Sequence, residues 1–202
     1  MNLNVLMVTP RVDESHRLGF IAGWIRHLAE RVDRLYVITL DFNRDTPLPQ
    51  NTIVYGLNER SNKLTRYLYF SRVVIGLLSK KQVDTIFCHM SPTFVIMAAP
   101  WAKLFGVPTV LWYAHGHVSQ RLRIAHFLSD RIVTASDDSF NIKSDKVIIT
   151  GHGVDTERFK PAKNQGTRER KVILSLGRIS PIKDYETLIE AAGILVNERG
   201  MR

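Results

Sequence analysis

A single cysteine, Cys88, stands among the 202 residues, so no internal disulfide can form and a reducing, cytoplasmic compartment is expected. No apolar run reaches the roughly 20 residues that a bilayer-spanning helix needs. The greasiest, Tyr67 to Leu78, is broken by Ser71 and Arg72. Met1 to Thr9 lacks the basic lead-in and the apolar length of a secretory signal, and its β-branched content suits a first strand, so secretion is not expected. Acidic residues are scarce: 19 Asp plus Glu against 28 Lys plus Arg leave a net charge of +9. Internal repeats and low-complexity tracts are also missing. What remains, 45% hydrophobic and 23% charged, is the composition of an ordinary globular chain long enough to bury one good core.

Short β-rich runs alternate with longer helical stretches from the start, the pattern of a parallel sheet covered by helices on both faces. The expected strands are Leu3 to Thr9, Leu35 to Leu40, Thr52 to Tyr55, Asp84 to Cys88, Thr109 to Tyr113, Arg131 to Ala135 and Lys146 to Thr150. Most are near-continuous apolar runs, as strands buried on both faces should be. Helices are predicted over Gly19 to Glu30, Asn62 to Lys81, Pro92 to Phe105 and Ser119 to Leu128, with Ser91 and Pro92 as an N-cap and first-turn pair.

Lys160 to Lys171 is polar and basic without apolar periodicity, which marks a linker. The expected division is a first domain over 1–165 and a second, incomplete one over 166–202. The latter has one strand, Val172 to Leu176, a loop, and one helix, Asp184 to Arg199. A lone β-α unit is too small to bury its own apolar face. The second domain is therefore expected to be cut off soon after it begins.

Three segments could carry chemistry. The loop Gly177 to Lys183 joins a strand to a helix, and a helix start beside Arg178 and Lys183 suits a diphosphate; the plainer alternative is two solvated surface cations. Leu111 to His117 places His115 and His117 just past a buried strand, where open α/β sheets bind ligands. Neither histidine has a carboxylate or third ligand at useful spacing, so no metal is expected. Arg11 to Gly23 follows the first strand and brings His16, Arg17 and Gly19 to the same edge, as cleft residues or as plain surface and a helix N-cap.

Gly151-His152-Gly153-Val154-Asp155 with Phe159 and Pro161, followed by Gly177-Arg178-Ile179-Ser180-Pro181-Ile182-Lys183-Asp184 and then Leu188-Ile189-Glu190-Ala191, resembles the paired motifs of family 4-type retaining glycosyltransferases. In the first motif His152 stands where the family usually has Asn. The resemblance spans the whole chain and implies the N-terminal half of a GT-B architecture: a Rossmann-like, doubly wound parallel sheet on the acceptor side, then the opening of a donor-binding domain. It implies that Arg178 and Lys183 hold the donor diphosphate and that His115 faces the donor sugar. Gly153, Val154 and Asp155 form the interdomain motif. His16, Arg17 and Gly19 lie in the acceptor-side loop, although Leu18-Gly19 replaces the family's frequent Gly-Gly pair. The paired-glutamate element that grips the sugar and ribose does not occur within the 202 residues, so the chain alone is expected to be inactive. The implied partners are a nucleotide sugar and a carbohydrate or lipid-linked acceptor, as in polysaccharide biosynthesis, with no cofactor and no metal.

Arg60 to Lys81 carries six cations and no acid beside a broad apolar surface. Such a helix could lie on an anionic membrane face, placing the protein peripherally on the inner leaflet, or could simply cover the sheet with a solvated basic rim. The alternative to an enzyme is a non-catalytic acceptor-binding or docking subunit that needs a separate donor domain. Nucleic acid is not an expected partner, because the basic residues cluster with aliphatics and not around an open stacking platform.

Overall fold

The computed structural model describes residues 3–58, 62–157, 159–161 and 172–197. Arg60 and most of the expected linker, from 162 to 171, lie outside the described residues. The chain divides into two units, 1–152 and 153–202.

In the first unit every expected strand and helix forms. The strands are β1 (Asn4–Val12), β2 (Arg34–Phe42), β3 (Thr52–Gly56), β4 (Thr85–His89), β5 (Thr109–Trp112), β6 (Arg131–Thr134) and β7 (Val147–Ile149). The helices are α1 (Phe20–Ala29), α2 (Lys63–Ser79), α3 (Pro92–Phe105) and α4 (Gln120–Leu128). All seven strands are parallel in the order β3-β2-β1-β4-β5-β6-β7. After β3 the chain crosses to the far side of β1, so the strand order reverses between β1 and β4. Ligands of open α/β sheets bind in the crevice outside such a point.

Alternation along the strands sorts the core into two layers, because successive side chains leave a strand on opposite faces. Val5, Met7, Leu35 and Val37 meet Ile21, Ile25 and Ala29 of α1. Leu6, Val8, Ile38, Ile86, Cys88, Leu111 and Ile132 meet Phe70, Val74 and Leu77 of α2, Val95 and Ala98 of α3, and Leu122 and Ala125 of α4. Each large side chain so buried contributes about 1.5–3 kcal/mol. Cys88 sits in this larger layer, where burial pushes its thiol above the usual range.

The helix ends follow local rules with some departures. Asn62 accepts from the Thr65 N–H at 2.9 Å in a capping box that opens α2, while Ser91 occupies the cap position of α3 without making a side-chain cap bond. Gly106 ends α3 in the left-handed region at φ 68°, which only glycine adopts without strain. Phe70, Ser71, Val74, Leu77 and Leu78 seat α2 on the sheet, and the Trp101 Nε1–H on α3 donates to Ser71 Oγ at 3.2 Å. The sheet-covering role of this helix is therefore real, yet Leu64 and Leu68 remain in solvent beside Lys63 and Arg72.

In the second unit α5 (Tyr185–Asn197) forms, preceded by a single 3-10 turn over Pro181–Lys183. The strand expected over Val172 to Leu176 does not form: the segment makes no ladder, and Leu174 and Leu176 are 84% and 94% exposed. A strand satisfies its N–H and C=O groups only through neighbours, and no described residue pairs with this one.

Candidate functional site

The sheet order β1-β4-β5 brings the ends of three strands, and the loops that follow β1 and β5, to one edge. The β1–α1 loop is built on polar bonds. Asp13 accepts from the Ser15 N–H and hydroxyl at 3.1 and 2.7 Å and from Asn43 Nδ2 at 3.2 Å, and these bonds hold its carboxyl below the usual range. Glu14 pairs with Arg26 of α1 at 2.8 Å, and Arg11 pairs with Asp41.

Within that loop His16 is half-buried and its Nδ1 accepts from the Leu18 N–H at 3.2 Å, which places the ring proton of the neutral form on Nε2. Arg17 is exposed. Gly19 is the N-cap of α1, and a Cβ there would run into the Glu14 carbonyl. Its immediate requirement is thus the tight loop itself.

The β5–α4 loop presents His115 to solvent on a latched main chain. The His115 N–H donates to the Ser139 carbonyl at 2.8 Å, and Asn141 Nδ2 donates to the Gly116 carbonyl at 2.7 Å. Gly116 is closely hemmed, since a Cβ there would stand 3.1 Å from the Asp138 carbonyl. His115 Nδ1 accepts from the His117 N–H at 3.1 Å, so Nε2 is the nitrogen of the neutral ring that can donate to a ligand. An exposed side chain on a fixed backbone can orient a ligand hydroxyl without rebuilding the loop.

Between these loops ends β4, and there the structure places a residue that sequence reading missed. His89 is fully buried; its Nδ1 lies 3.1 Å from Thr9 Oγ1 of β1, directly across the reversal of strand order. Burial pushes its pKa down to about 4, so the ring is neutral at physiological pH. Trp112, at the end of β5, and Trp24, on α1, pack around it. Met90, the next residue, adopts φ 66°, a strained conformation for a side chain without local polar compensation. The available signal was positional: a histidine ending a buried strand immediately before the start of a helix.

The remaining expected site residues belong to the second unit. Asp155 Oδ1 accepts from the Glu157 N–H at 3.1 Å and its carbonyl accepts from the Phe159 N–H at 2.9 Å, a local turn in which Val154 is 63% exposed and Gly153 is exposed. Arg178 and Lys183 are both exposed on the Gly177 to Lys183 loop. Gly177 lies against the Lys183 stem, its Cβ position 3.7 Å from Cδ. Asp184, next in the chain, accepts from the Thr187 N–H at 3.4 Å and hydroxyl at 2.9 Å at the start of α5.

A concavity of about 250 Å³ lies away from these loops, beside β2 and β3, and is lined by Phe42, Arg44, Tyr55, Asn58 and Tyr69. Among the described residues no cluster of three His, Cys, Asp or Glu is arranged to hold a metal ion, and no helix is long and apolar enough to cross a membrane.

No family model and no curated protein matches the chain. Solved structures do. Anabaena Alr3699/HepE in complex with UDP-glucose matches with a TM-score of 0.57 at 14% identity, over 80% of this chain and 47% of that one. The lipopolysaccharide outer core galactosyltransferase WaaB matches at 0.53 and 9% identity, over 81% and 50%. The UDP-GlcNAc 2-epimerase from Methanocaldococcus jannaschii matches at 0.51 and 15%, over 74% and 45%. The chain spans about half the length of these proteins. At such identities the likeness is one of fold: a Rossmann-like α/β chain with a seven-strand parallel sheet, of the kind found in GT-B glycosyltransferases and in the related epimerase.

Proposed function

We propose that this chain is the acceptor-side half, with the opening of the donor-binding half, of a glycosyltransferase. It would move a hexose from a nucleotide sugar to a carbohydrate or lipid-linked acceptor with retention of configuration. The observation that carries the reading is the placement of His115 at the carboxyl end of β5, exposed and latched, in a chain whose second unit carries the cationic loop Gly177 to Lys183.

In this mechanism Arg178 and Lys183 hold the donor diphosphate and balance the negative charge that grows on it as the anomeric C–O bond breaks. Those two cations do the work for which other transferases use a divalent ion, so no metal is needed. The acceptor hydroxyl attacks the anomeric carbon from the leaving-group side, and its proton passes to the departing diphosphate oxygen. His115 Nε2–H donates to a sugar hydroxyl and fixes the ring in place. His16, Arg17 and the Gly19 loop line the acceptor side, and Gly153-Val154-Asp155 forms the turn between the halves. Two fold neighbours, one solved in complex with UDP-glucose and one a galactosyltransferase, favour this reading. The epimerase neighbour favours a second one, in which the same edge serves a nucleotide sugar that is isomerised and not transferred. A docking subunit without turnover of its own is the third.

A transfer assay on the full gene product, supplied with UDP-, GDP- and ADP-hexoses and an oligosaccharide or lipid-linked acceptor, separates these. Transfer with the donor's anomeric configuration kept, and a loss of roughly 10² or more in turnover for His115→Ala at nearly unchanged Tm, is the expected result. Epimerised sugar nucleotide without transfer would replace it with the second reading. The 202-residue chain by itself should bind nucleotide sugar no tighter than the millimolar range, since it supplies only part of the donor site.

The same proposal places the protein on the cytoplasmic membrane face through α2. Lys63, Arg72, Lys80 and Lys81 are exposed, as are Leu64 and Leu68. Each cation near an anionic leaflet is worth about 1 kcal/mol. Vesicle co-sedimentation should rise with anionic lipid and fall with salt and in the Lys63, Arg72, Lys80 and Lys81 to Gln variant; equal binding to neutral vesicles would leave α2 a sheet cover only.

A further inference from the structure

The aromatic cluster above β4 and β5 takes no part in the chemistry assigned to His115, Arg178 and Lys183. His89 and Trp112 stack with centroids 5.2 Å apart and an interplanar angle of 29°; Trp24 approaches both, at 4.9 and 5.1 Å. Phe20, the first residue of α1, stands edge-on to His89 at 6.4 Å and is 48% exposed. Trp24 is half-buried. Phe20 and Trp24 thus present aromatic surface at the edge where the loops after β1 and β5 gather.

Beneath the rings lies an unsatisfied polar atom. His89 is 0% exposed, its Nδ1 is engaged with Thr9 Oγ1, and its Nε2 is buried with no hydrogen-bond partner. Buried polar atoms are nearly always paired, because leaving one unpaired costs free energy that an apolar side chain of the same shape would save. The two features lie together at the point where the strand order reverses, where this class of sheet takes its ligands. Aromatic faces with one directed polar group match a molecule that has an apolar C–H face and a rim of hydroxyls. The neutral state of the ring fits an uncharged partner: it offers one lone pair or one N–H.

We propose that Phe20, Trp24 and His89 form a pyranose-binding subsite. The C–H face of the sugar lies on the Phe20 and Trp24 rings, and one of its hydroxyls takes the Nε2 of His89. As the seat of an acceptor sugar the subsite rests on the glycosyl-transfer reading; as a sugar-binding site it does not.

The chain carries its own probe, because its three tryptophans divide between the subsite and the opposite layer. Trp24 and Trp112 belong to the cluster, while Trp101 donates to Ser71 on the α2 side of the sheet. In a ¹⁵N NMR titration of the 202-residue protein with the methyl glycosides of glucose, galactose and N-acetylglucosamine, at least one sugar should shift the Trp24 and Trp112 indole signals and the His89 ring nitrogens. The shifts should saturate with a Kd in the millimolar range while Trp101 stays still. Phe20→Ala, at an exposed position, should keep the Trp101 signal and weaken binding about tenfold. His89→Phe should retain the stacking shifts with weaker affinity.

Absence of shifts with every glycoside, equal movement of Trp101, or unchanged affinity in Phe20→Ala would overturn the subsite. Adenosine is the remaining arm: saturable shifts from adenosine alone would mean a nucleobase platform and not a sugar site. Glycoside binding here with a failed transfer assay would keep the subsite and discard the transferase reading, and transfer without these shifts would do the reverse.

Discussion

Two stretches of this chain share one local grammar and have different fates. Asn4 to Ala29 and Val172 to Asn197 each read as an apolar run, a loop and an amphipathic helix. In the first, Leu6 and Met7 are fully buried, β1 is paired on both sides, and α1 buries Ile21, Ala22, Ile25 and Ala29. In the second, the apolar run pairs with nothing described and α5 buries no residue, although the helix still forms. The difference follows from where hydrogen bonds go. A helix closes its own N–H to C=O bonds, so local sequence suffices; a parallel strand closes none and exists only between neighbours.

The sharpest way to test that contrast is to remove matching side chains. Leu6→Ala should destabilise the first unit by about 2–5 kcal/mol, since it opens a cavity in a packed layer. Leu174→Ala, at an 84% exposed position, should change stability by no more than about 0.5 kcal/mol. Urea denaturation of both variants decides it, and equal losses would mean that Val172 to Leu176 is packed in solution.

Acid should break the first region selectively. The His89 pKa is lowered from 6.5 to about 4 by burial, so the unfolded chain takes up that proton at higher pH than the folded one. Stability is therefore complete above about pH 6.5 and falls as pH drops towards 4, by an amount on the order of 3 kcal/mol once both states are protonated. His126, lowered by burial and by Lys146, acts with the same sign. Asp13, lowered chiefly by the Ser15 bond, adds a loss at still lower pH as its carboxylate protonates. A His89→Phe variant should flatten the curve between pH 6.5 and 4, and an unchanged slope there would refute the assignment to His89.

A smaller and purely local effect sits in the second region. Asp184 accepts two bonds from Thr187 at the start of α5. Because no buried face supports that helix, Asp184→Ala should cost about 1 kcal/mol of its local stability. Hydrogen exchange across 185–197 would report it as roughly fivefold faster opening, with the amides of β1 unaffected.

The same contrast explains what could be read from the residues alone. Every strand and α-helix of the first unit was legible, because buried strands such as Leu35 to Leu40 announce themselves as apolar runs and because Pro92 and Gly106 mark where α3 begins and ends. Val172 to Leu176 carried the same signal and misled, since composition reports what a segment could bury and not whether a partner is present. The position of His115 just past β5 was legible from the apolar run Thr109 to Tyr113. The interest of His89 was not: it stood one residue past the expected strand Asp84 to Cys88, and it matters only when Thr9 and Trp24, distant in sequence, are brought beside it. The Gly19 requirement was equally hidden, because the Glu14 carbonyl that excludes a Cβ is a feature of the closed loop.

Cys88 lies in β4 with no exposed surface, and it is the sole sulfhydryl of the chain. Its thiol, buried and reluctant to ionise, meets an alkylating reagent only when the central strands part. Labelling kinetics at this one atom therefore act as a clock for sheet opening. A ligand that settles at the carboxyl edge should slow that clock in proportion to how tightly it binds, whatever its chemical identity.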